Sequence, residues 1–220
     1  MGAAEHLKIN LNEYDQVIRT LIPHYRDLIE EAAIAVTRVT RARPAVVDLG
    51  TGSGALAARV LKSRSGARMI GIDEDRGMLT MAERRLRGRI SAVRANFETA
   101  PIPRCDAIMA SFALHHIATG QRKLAMYHRC FEALRPNGAL VIADCCLAST
   151  ERLRKAHKLM WLQHLQKTYT RKKSEAFLRA WAKEDVYFTL DRETELLQKA
   201  GFEVDVVWRR DSFAVLVALN

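Results

Sequence analysis

The chain has 220 residues and a formal net charge of +10, from 35 Lys and Arg against 25 Asp and Glu. This length favours one domain with its own core, and an apolar share of 49% with 27% charged residues excludes a low-complexity disordered chain. No apolar run approaches the roughly 20 residues that cross a bilayer, and Met1-Gly2-Ala3-Ala4-Glu5-His6 carries neither a secretory h-region nor a myristoylation signal, so a cytoplasmic location is expected.

Residues 10–39 have helical patterning on both sides of Pro23. From residue 45 onward strand and helix patterns alternate. Strands are predicted at 45–48, 68–72, 90–95, 106–110 and 139–145, with helices at 55–62, 77–86 and 121–134 between them. Arg135-Pro136-Asn137-Gly138 reads as a turn. Residues 149–183 read as a helical, Lys- and Arg-rich stretch anchored by Leu153, Leu159, Met160, Trp161, Leu165, Phe177 and Trp181, followed by a helix at 192–200. Strands at 201–208 and 213–219 close the chain, and their short connection requires them to be antiparallel. The alternation predicts an α/β fold with an open, mostly parallel sheet, helices on both faces and an antiparallel last strand.

The positive charge permits an RNA partner. The densest basic runs, Arg84-Arg85-Leu86-Arg87-Gly88-Arg89 and Arg171-Lys172-Lys173, lack the interleaved aromatics that stack bases and read as solvated helix faces. Cys105, Cys130, Cys145 and Cys146 form no CxxC pair and read as buried reduced thiols. No metal is expected, because His115 and His116 are adjacent and no third ligand is evident in the sequence.

The chemistry is concentrated in Asp48-Leu49-Gly50-Thr51-Gly52-Ser53-Gly54, which leaves a strand and opens a helix. Glycines there permit positive φ and close approach of a ligand to the backbone. Dinucleotide enzymes share such a loop, but they ask for no acid two residues before the first glycine, where Asp48 stands, and the antiparallel tail is foreign to them. Asp73 ends the second strand, where a carboxylate accepts ribose hydroxyls, with Glu74 beside it. Asn96-Phe97 follows the third strand, as an amide and a ring for adenine. Ser111 and the pair His115-His116 follow the fourth, where a histidine can remove a proton from an acceptor. Asp144, His24, Tyr25, His157 and Trp161 are candidates for holding that acceptor.

With these motifs in this order, and with Leu134-Arg135-Pro136-Asn137-Gly138-Ala139-Leu140 and Leu196-Leu197-Gln198-Lys199-Ala200-Gly201-Phe202 before the last strands, the chain resembles the class I S-adenosylmethionine-dependent methyltransferases over residues 45–219. The resemblance implies a Rossmann-like seven-stranded sheet and S-adenosyl-L-methionine as cofactor, held by Asp48, Gly50, Thr51, Gly52, Gly54, Asp73, Glu74, Asn96, Phe97 and Ser111. The family often has Asp at the position of Asn96. Tyr14-Asp15-Gln16-Val17-Ile18-Arg19-Thr20-Leu21-Ile22-Pro23-His24-Tyr25 is similar to the first helix of the carboxy-S-adenosylmethionine synthases of tRNA wobble-uridine modification. That similarity implies that Tyr14 and Arg19 close over the methionine end of the cofactor.

One methyltransferase domain is therefore expected, with residues 10–43 as an N-terminal helical cap and 147–185 as a helical insertion forming a lid. The expected activity is in-line methyl transfer to a small-molecule acceptor, with His115 and His116 catalytic, by a monomer or homodimer. The alternatives are an RNA-modification enzyme using the same cofactor or a derivative, and a non-catalytic cofactor-binding scaffold.

Overall fold

A computed structural model describes residues 13–220, so the opening hexapeptide and residues 10–12 of the N-terminal helical segment lie outside the described residues. Seven strands form one sheet in the order β3-β2-β1-β4-β5-β7-β6. They are β1 (Ala45–Leu49), β2 (Arg68–Asp73), β3 (Ile90–Arg94), β4 (Cys105–Ser111), β5 (Leu134–Cys145), β6 (Glu203–Arg210) and β7 (Phe213–Leu219). β7 inserts antiparallel between β5 and β6, while β1 to β5 pair in parallel. β1 lies between β2 and β4, so the strand order reverses there, and open α/β sheets bind ligands at such a crevice.

Strand alternation splits the core. Met109, Val141 and Val215 face one apolar cluster, and Ile108, Ala110, Leu140 and Leu216 face the other. The first cluster is covered by α1 (Tyr14–Leu21), α2 (Tyr25–Val39) and α3 (Ala55–Ser63), whose buried residues include Ile18, Leu28, Val36, Leu56 and Val60. α4 (Arg76–Leu86) packs beside α3, with its N-terminus capped by Asp75, which accepts from the Gly77 and Met78 N–H groups. The second cluster is covered by α5 (Gly120–Ala133) and α8 (Leu190–Lys199). All four cysteines are buried free thiols.

The predicted helical stretch 149–183 is two helices, α6 (Glu151–Gln166) and α7 (Arg171–Glu184). Thr170 separates them by capping α7, its hydroxyl accepting from Lys173 N–H. Both helices return onto the first face. Trp161 Nε1 donates to the Leu21 carbonyl at 2.8 Å, and Tyr169 Oη shares a 2.6 Å hydrogen bond with Thr20 Oγ1. A predicted turn at 135–138 instead lies within β5 as a bulge. The pairing jumps from Cys105–Leu134 to Ala107–Ala139, and Asn137 takes φ 62°. Gly138 is required there, because a Cβ would stand 2.8 Å from the Arg135 carbonyl oxygen. The last hairpin turns at Asp211 (φ 52°), so β6 runs to Arg210, two residues beyond the predicted strand.

Candidate active site

At the carboxyl end of β1 the backbone turns through Gly50 (φ 65°) and Gly52 (φ 54°). A Cβ on Gly50 would stand 2.5 Å from Ala113 Cβ, so glycine is needed for the loop to meet the segment after β4. Gly52 N–H donates to Asp73 Oδ2 at 2.8 Å, and Asp75 N–H donates to Asp73 Oδ1 at 2.9 Å. Asp73 thus ties two loops together while each oxygen keeps a lone pair for a further donor. Burial raises its carboxyl above the usual range against the pull of those N–H groups. Thr51 Oγ1 donates to the Asp48 carbonyl at 2.9 Å and closes the turn.

These residues edge a cavity of about 420 Å³, to which Tyr14, Gly50, Thr51, Gly52, Asp73, Glu74, Asn96, Phe97 and Ser111 all contribute, as does Tyr25. Asn96 also accepts Glu98 N–H on its Oδ1 at 2.8 Å, so its amide NH₂ end remains to address a ligand. Sequence reasoning missed Ser53, Ala113 and Glu184 on the cavity wall. The first two adjoin motif residues, whereas Glu184 arrives from a distant helix with no spacing signal.

Three expected cofactor residues are not part of the cavity lining. Gly54 does not line the cavity; its glycine is needed because a Cβ would come within 3.0 Å of Ala82 Cβ on α4. The Arg19 side chain is exposed and outside the lining, since Ile18 and Leu21 turn the opposite side of α1 inward. Asp48 lies beneath the loop, 1% exposed, and neither carboxylate oxygen has a hydrogen-bond partner among the described residues. Burial, and then the charge of Asp73, pushes its carboxyl well above the usual range. A buried carboxylate without a donor is costly, and a ligand ammonium group relieves that cost. The methionyl end of S-adenosylmethionine carries such a group, and the glycine cradle and Asp73 suit its adenosine end.

A second, smaller cavity of about 60 Å³ adjoins the first and shares Tyr14, Phe112 and His116 with it. Ile18, Ile22, Trp161, Trp181 and Tyr187 give it an apolar, aromatic wall, with His115, Cys145 and Asp185 at its polar side. Phe112 takes φ 50°, an uncommon conformation for an aromatic residue, and stacks on Tyr25 at 5.8 Å. His115 lines only this smaller cavity. Its Nδ1 meets Asp144 Oδ1 at 2.7 Å, and its backbone N–H donates to Asp144 Oδ2 at 3.3 Å. Burial works against charge on His115, but Asp144 outweighs it and raises the imidazole pKa, while Asp144 itself is held low.

Asp144, a candidate acceptor residue, is therefore a partner of His115 at the end of β5. Trp161 and Tyr25 each line a cavity, whereas His24 pairs with Asp211 at 3.1 Å and His157 with Ser212 at 3.2 Å, outside both. The structure also corrects the expectation that the histidines have no third companion. Asp185 brings Oδ1 to 3.3 Å from His116 Nδ1 and 3.8 Å from His115 Nε2, in a grouping able to hold a metal ion. Nothing in the sequence spacing links residue 185 to the pair.

Residues 46–138 match the family model described as a methyltransferase domain. A carboxy-S-adenosyl-L-methionine synthase of Pseudomonas entomophila is 26% identical to the chain, covering 94% of it and 88% of the relative. The uncharacterized methyltransferase YrrT of Bacillus subtilis is 26% identical, covering 94% and 92%. Among solved structures, a Bordetella parapertussis protein superposes with a TM-score of 0.71 at 22% identity, covering 89% of this chain and 67% of that one. Human N-acetylserotonin methyltransferase in complex with S-adenosylmethionine gives 0.60 at 17% identity, covering 86% and 51%, so the chain spans about half of its length. At these identities the structures establish the fold, and the domain match adds the chemistry of the core. The matched segment is thus a methyltransferase domain on a Rossmann-like methyltransferase fold, the relatives and neighbours support an S-adenosylmethionine-dependent methyltransferase of class I, and S-adenosyl-L-methionine is its cofactor.

Proposed function

We propose that the protein transfers the cofactor's methyl group to a small-molecule acceptor seated in the aromatic chamber beside the cofactor cavity. The observation that carries this reading is the shared wall of the two cavities, Tyr14, Phe112 and His116. In-line transfer needs an acceptor aligned with the methyl and shielded from water. Under this reading the cofactor's adenosine lies along Asp73, Asn96 and Phe97, and its amine reaches Asp48. The N-terminal cap and the insertion carrying α6 and α7 form the lid over the acceptor. His115 and His116 face the acceptor's reacting atom and govern its protonation, with Asp144 orienting His115. Arg19 has no part in it, being turned to solvent. Solved neighbours named for small-molecule chemistry, including N-acetylserotonin methyltransferase, support the acceptor class.

The test is transfer of isotopically labelled methyl to a panel of small aromatic, phenolic and thiol acceptors, with and without excess RNA. Label in a small acceptor at an undiminished rate is the expected result. Label recovered only in RNA overturns it. A second reading is favoured by the relatives named carboxy-S-adenosyl-L-methionine synthase. In that case the same site handles a carboxylated cofactor, and mass spectrometry of the co-purifying nucleoside separates the two.

A further inference from the structure

We propose that His115, His116 and Asp185 form a binding site for one divalent transition-metal ion of the zinc class, with its remaining coordination position open to the aromatic chamber. The placement of the chamber rests on the functional reading above; the metal site itself does not.

The first ground is geometry. One donor atom from each residue lies within 4.8 Å of the others, and the two contacts to Asp185 Oδ1 are 3.3 and 3.8 Å. A tetrahedral ion with bonds of about 2.1 Å holds its ligand atoms about 3.4 Å apart. The two contacts to Asp185 are already near that spacing, and the span between the histidine donors, at most 4.8 Å, must close by up to about 1.4 Å. Two imidazoles and one carboxylate, with a position left for water or substrate, is also the donor set of catalytic zinc.

The second ground is the support behind the donors. Asp144 takes the Nδ1 side of His115 at 2.7 Å, which orients the ring and leaves Nε2 facing Asp185. Tyr187 Oη donates to Asp185 Oδ2 at 2.5 Å, and Oδ1 is the oxygen nearer both histidines. A carboxylate behind a ligating histidine and a hydrogen bond behind a ligating carboxylate are the usual outer partners of a metal. The backbone is fixed as well, since Val186 N–H donates to the His115 carbonyl at 2.9 Å and Leu147 N–H to the Phe188 carbonyl at 2.8 Å. The segment carrying Asp185 is thereby tied to the histidine segment before any ion arrives.

The third ground is charge. Two buried carboxylates, Asp144 and Asp185, flank the His115 ring. A dication is attracted by both and replaces the contact between His115 Nε2 and Asp185 with two bonds to metal. An acceptor O–H or S–H bound at the open position would release its proton to water. Its lone pair would then form the bond to the methyl carbon as the carbon–sulfur bond breaks onto sulfur, leaving S-adenosylhomocysteine.

The test uses the intact protein stripped with chelator and titrated with Co²⁺, followed by competition with Zn²⁺. The expected result is one equivalent of Co²⁺ with intense visible bands of a four-coordinate site, displaced by one equivalent of Zn²⁺. Asp185→Asn and His116→Ala should abolish the bands. Tyr187→Phe and Asp144→Asn should weaken affinity about 10–100-fold. Near-ultraviolet circular dichroism identifies any variant that fails to fold, and the wild-type spectrum alone suffices if one does. Absence of the bands in the wild-type protein overturns the site. Bands that survive Asp185→Asn in a folded variant overturn it equally. Neither result touches the acceptor reading, which the labelled-methyl assay decides independently.

Discussion

Asp48 is the residue whose placement matters most beyond the glycines, because it is buried at 1% exposure with both oxygens unpartnered among the described residues. Its raised pKa means that the fold disfavours its charge, so ionised Asp48 costs stability in the empty protein. The cost is absent below the ordinary carboxylate pKa of about 4 and grows as the pH rises through the higher folded value. Asp48→Asn should therefore raise the melting temperature of the cofactor-free protein near neutral pH and lose that advantage in acid. The same change removes a charged partner for the cofactor amine and should weaken binding by about 1.5–3 kcal/mol. Melting curves across pH and calorimetry with S-adenosylhomocysteine measure both, and equal affinity in the two proteins would remove Asp48 from amine binding. The sequence shows the acid before Gly50, but its burial without a donor is visible only in the folded chain.

Among the elements, β4 and β5 illustrate how one side chain sets a register. Asp106 accepts the Ala45 N–H at 2.7 Å, Arg41 Nη2 at 2.6 Å and Arg135 Nη1 at 3.1 Å. It ties the start of β1 to the bulge of β5. Burial works against its charge, but these donors outweigh it and hold the carboxyl below the usual range. A lowered folded pKa stabilises above the unfolded value, and the contribution is lost as the pH falls through the folded one. Asp106→Asn should destabilise the fold by about 1–3 kcal/mol at neutral pH, with the difference vanishing in acid. Urea denaturation at two pH values checks it; a pH-independent loss would assign the effect to packing. Strand and helix identities were legible because period and turn chemistry are local. The bulge was read as a turn because Pro136 and Gly138 signal a bend without saying whether pairing resumes beside it. Thr170 carried a capping signal within what reads as one helical stretch.

Across the whole molecule, α1 is fastened to the cofactor loop. Ser53 Oγ donates to Asp15 Oδ1 at 2.9 Å, Arg85 pairs with Asp15, and Arg85 Nη1 reaches Ser53 Oγ at 3.1 Å. This contact joins α1, the loop and α4, and Tyr14 beside it lines both cavities. Asp15→Asn and Arg85→Gln should each weaken cofactor binding. In a double-mutant cycle read by calorimetry their effects should couple by about 0.5–1 kcal/mol. Additive effects would mean that the pair does not hold α1 over the cofactor. Arg85 falls in the basic run read as a solvated face; Arg84, Arg87 and Arg89 are exposed, but Arg85 is turned inward. Among the described residues no helix is long and apolar enough to cross a membrane.

The sequence by itself determined the alternating α/β architecture, the antiparallel tail, the glycine loop and the acid closing β2. Each of these is written in contiguous residues, whose spacing fixes backbone geometry and the face a side chain takes. Tertiary structure alone decided that Arg19 points to solvent, that Gly54 serves helix packing and that Asp144 stands behind His115. It also brought Asp185 to the histidine pair and placed the aromatic chamber beside the cofactor. Those facts depend on how α1, α6 and α7 settle over the sheet. Nonlocal burial sets that packing, and no residue spacing records it.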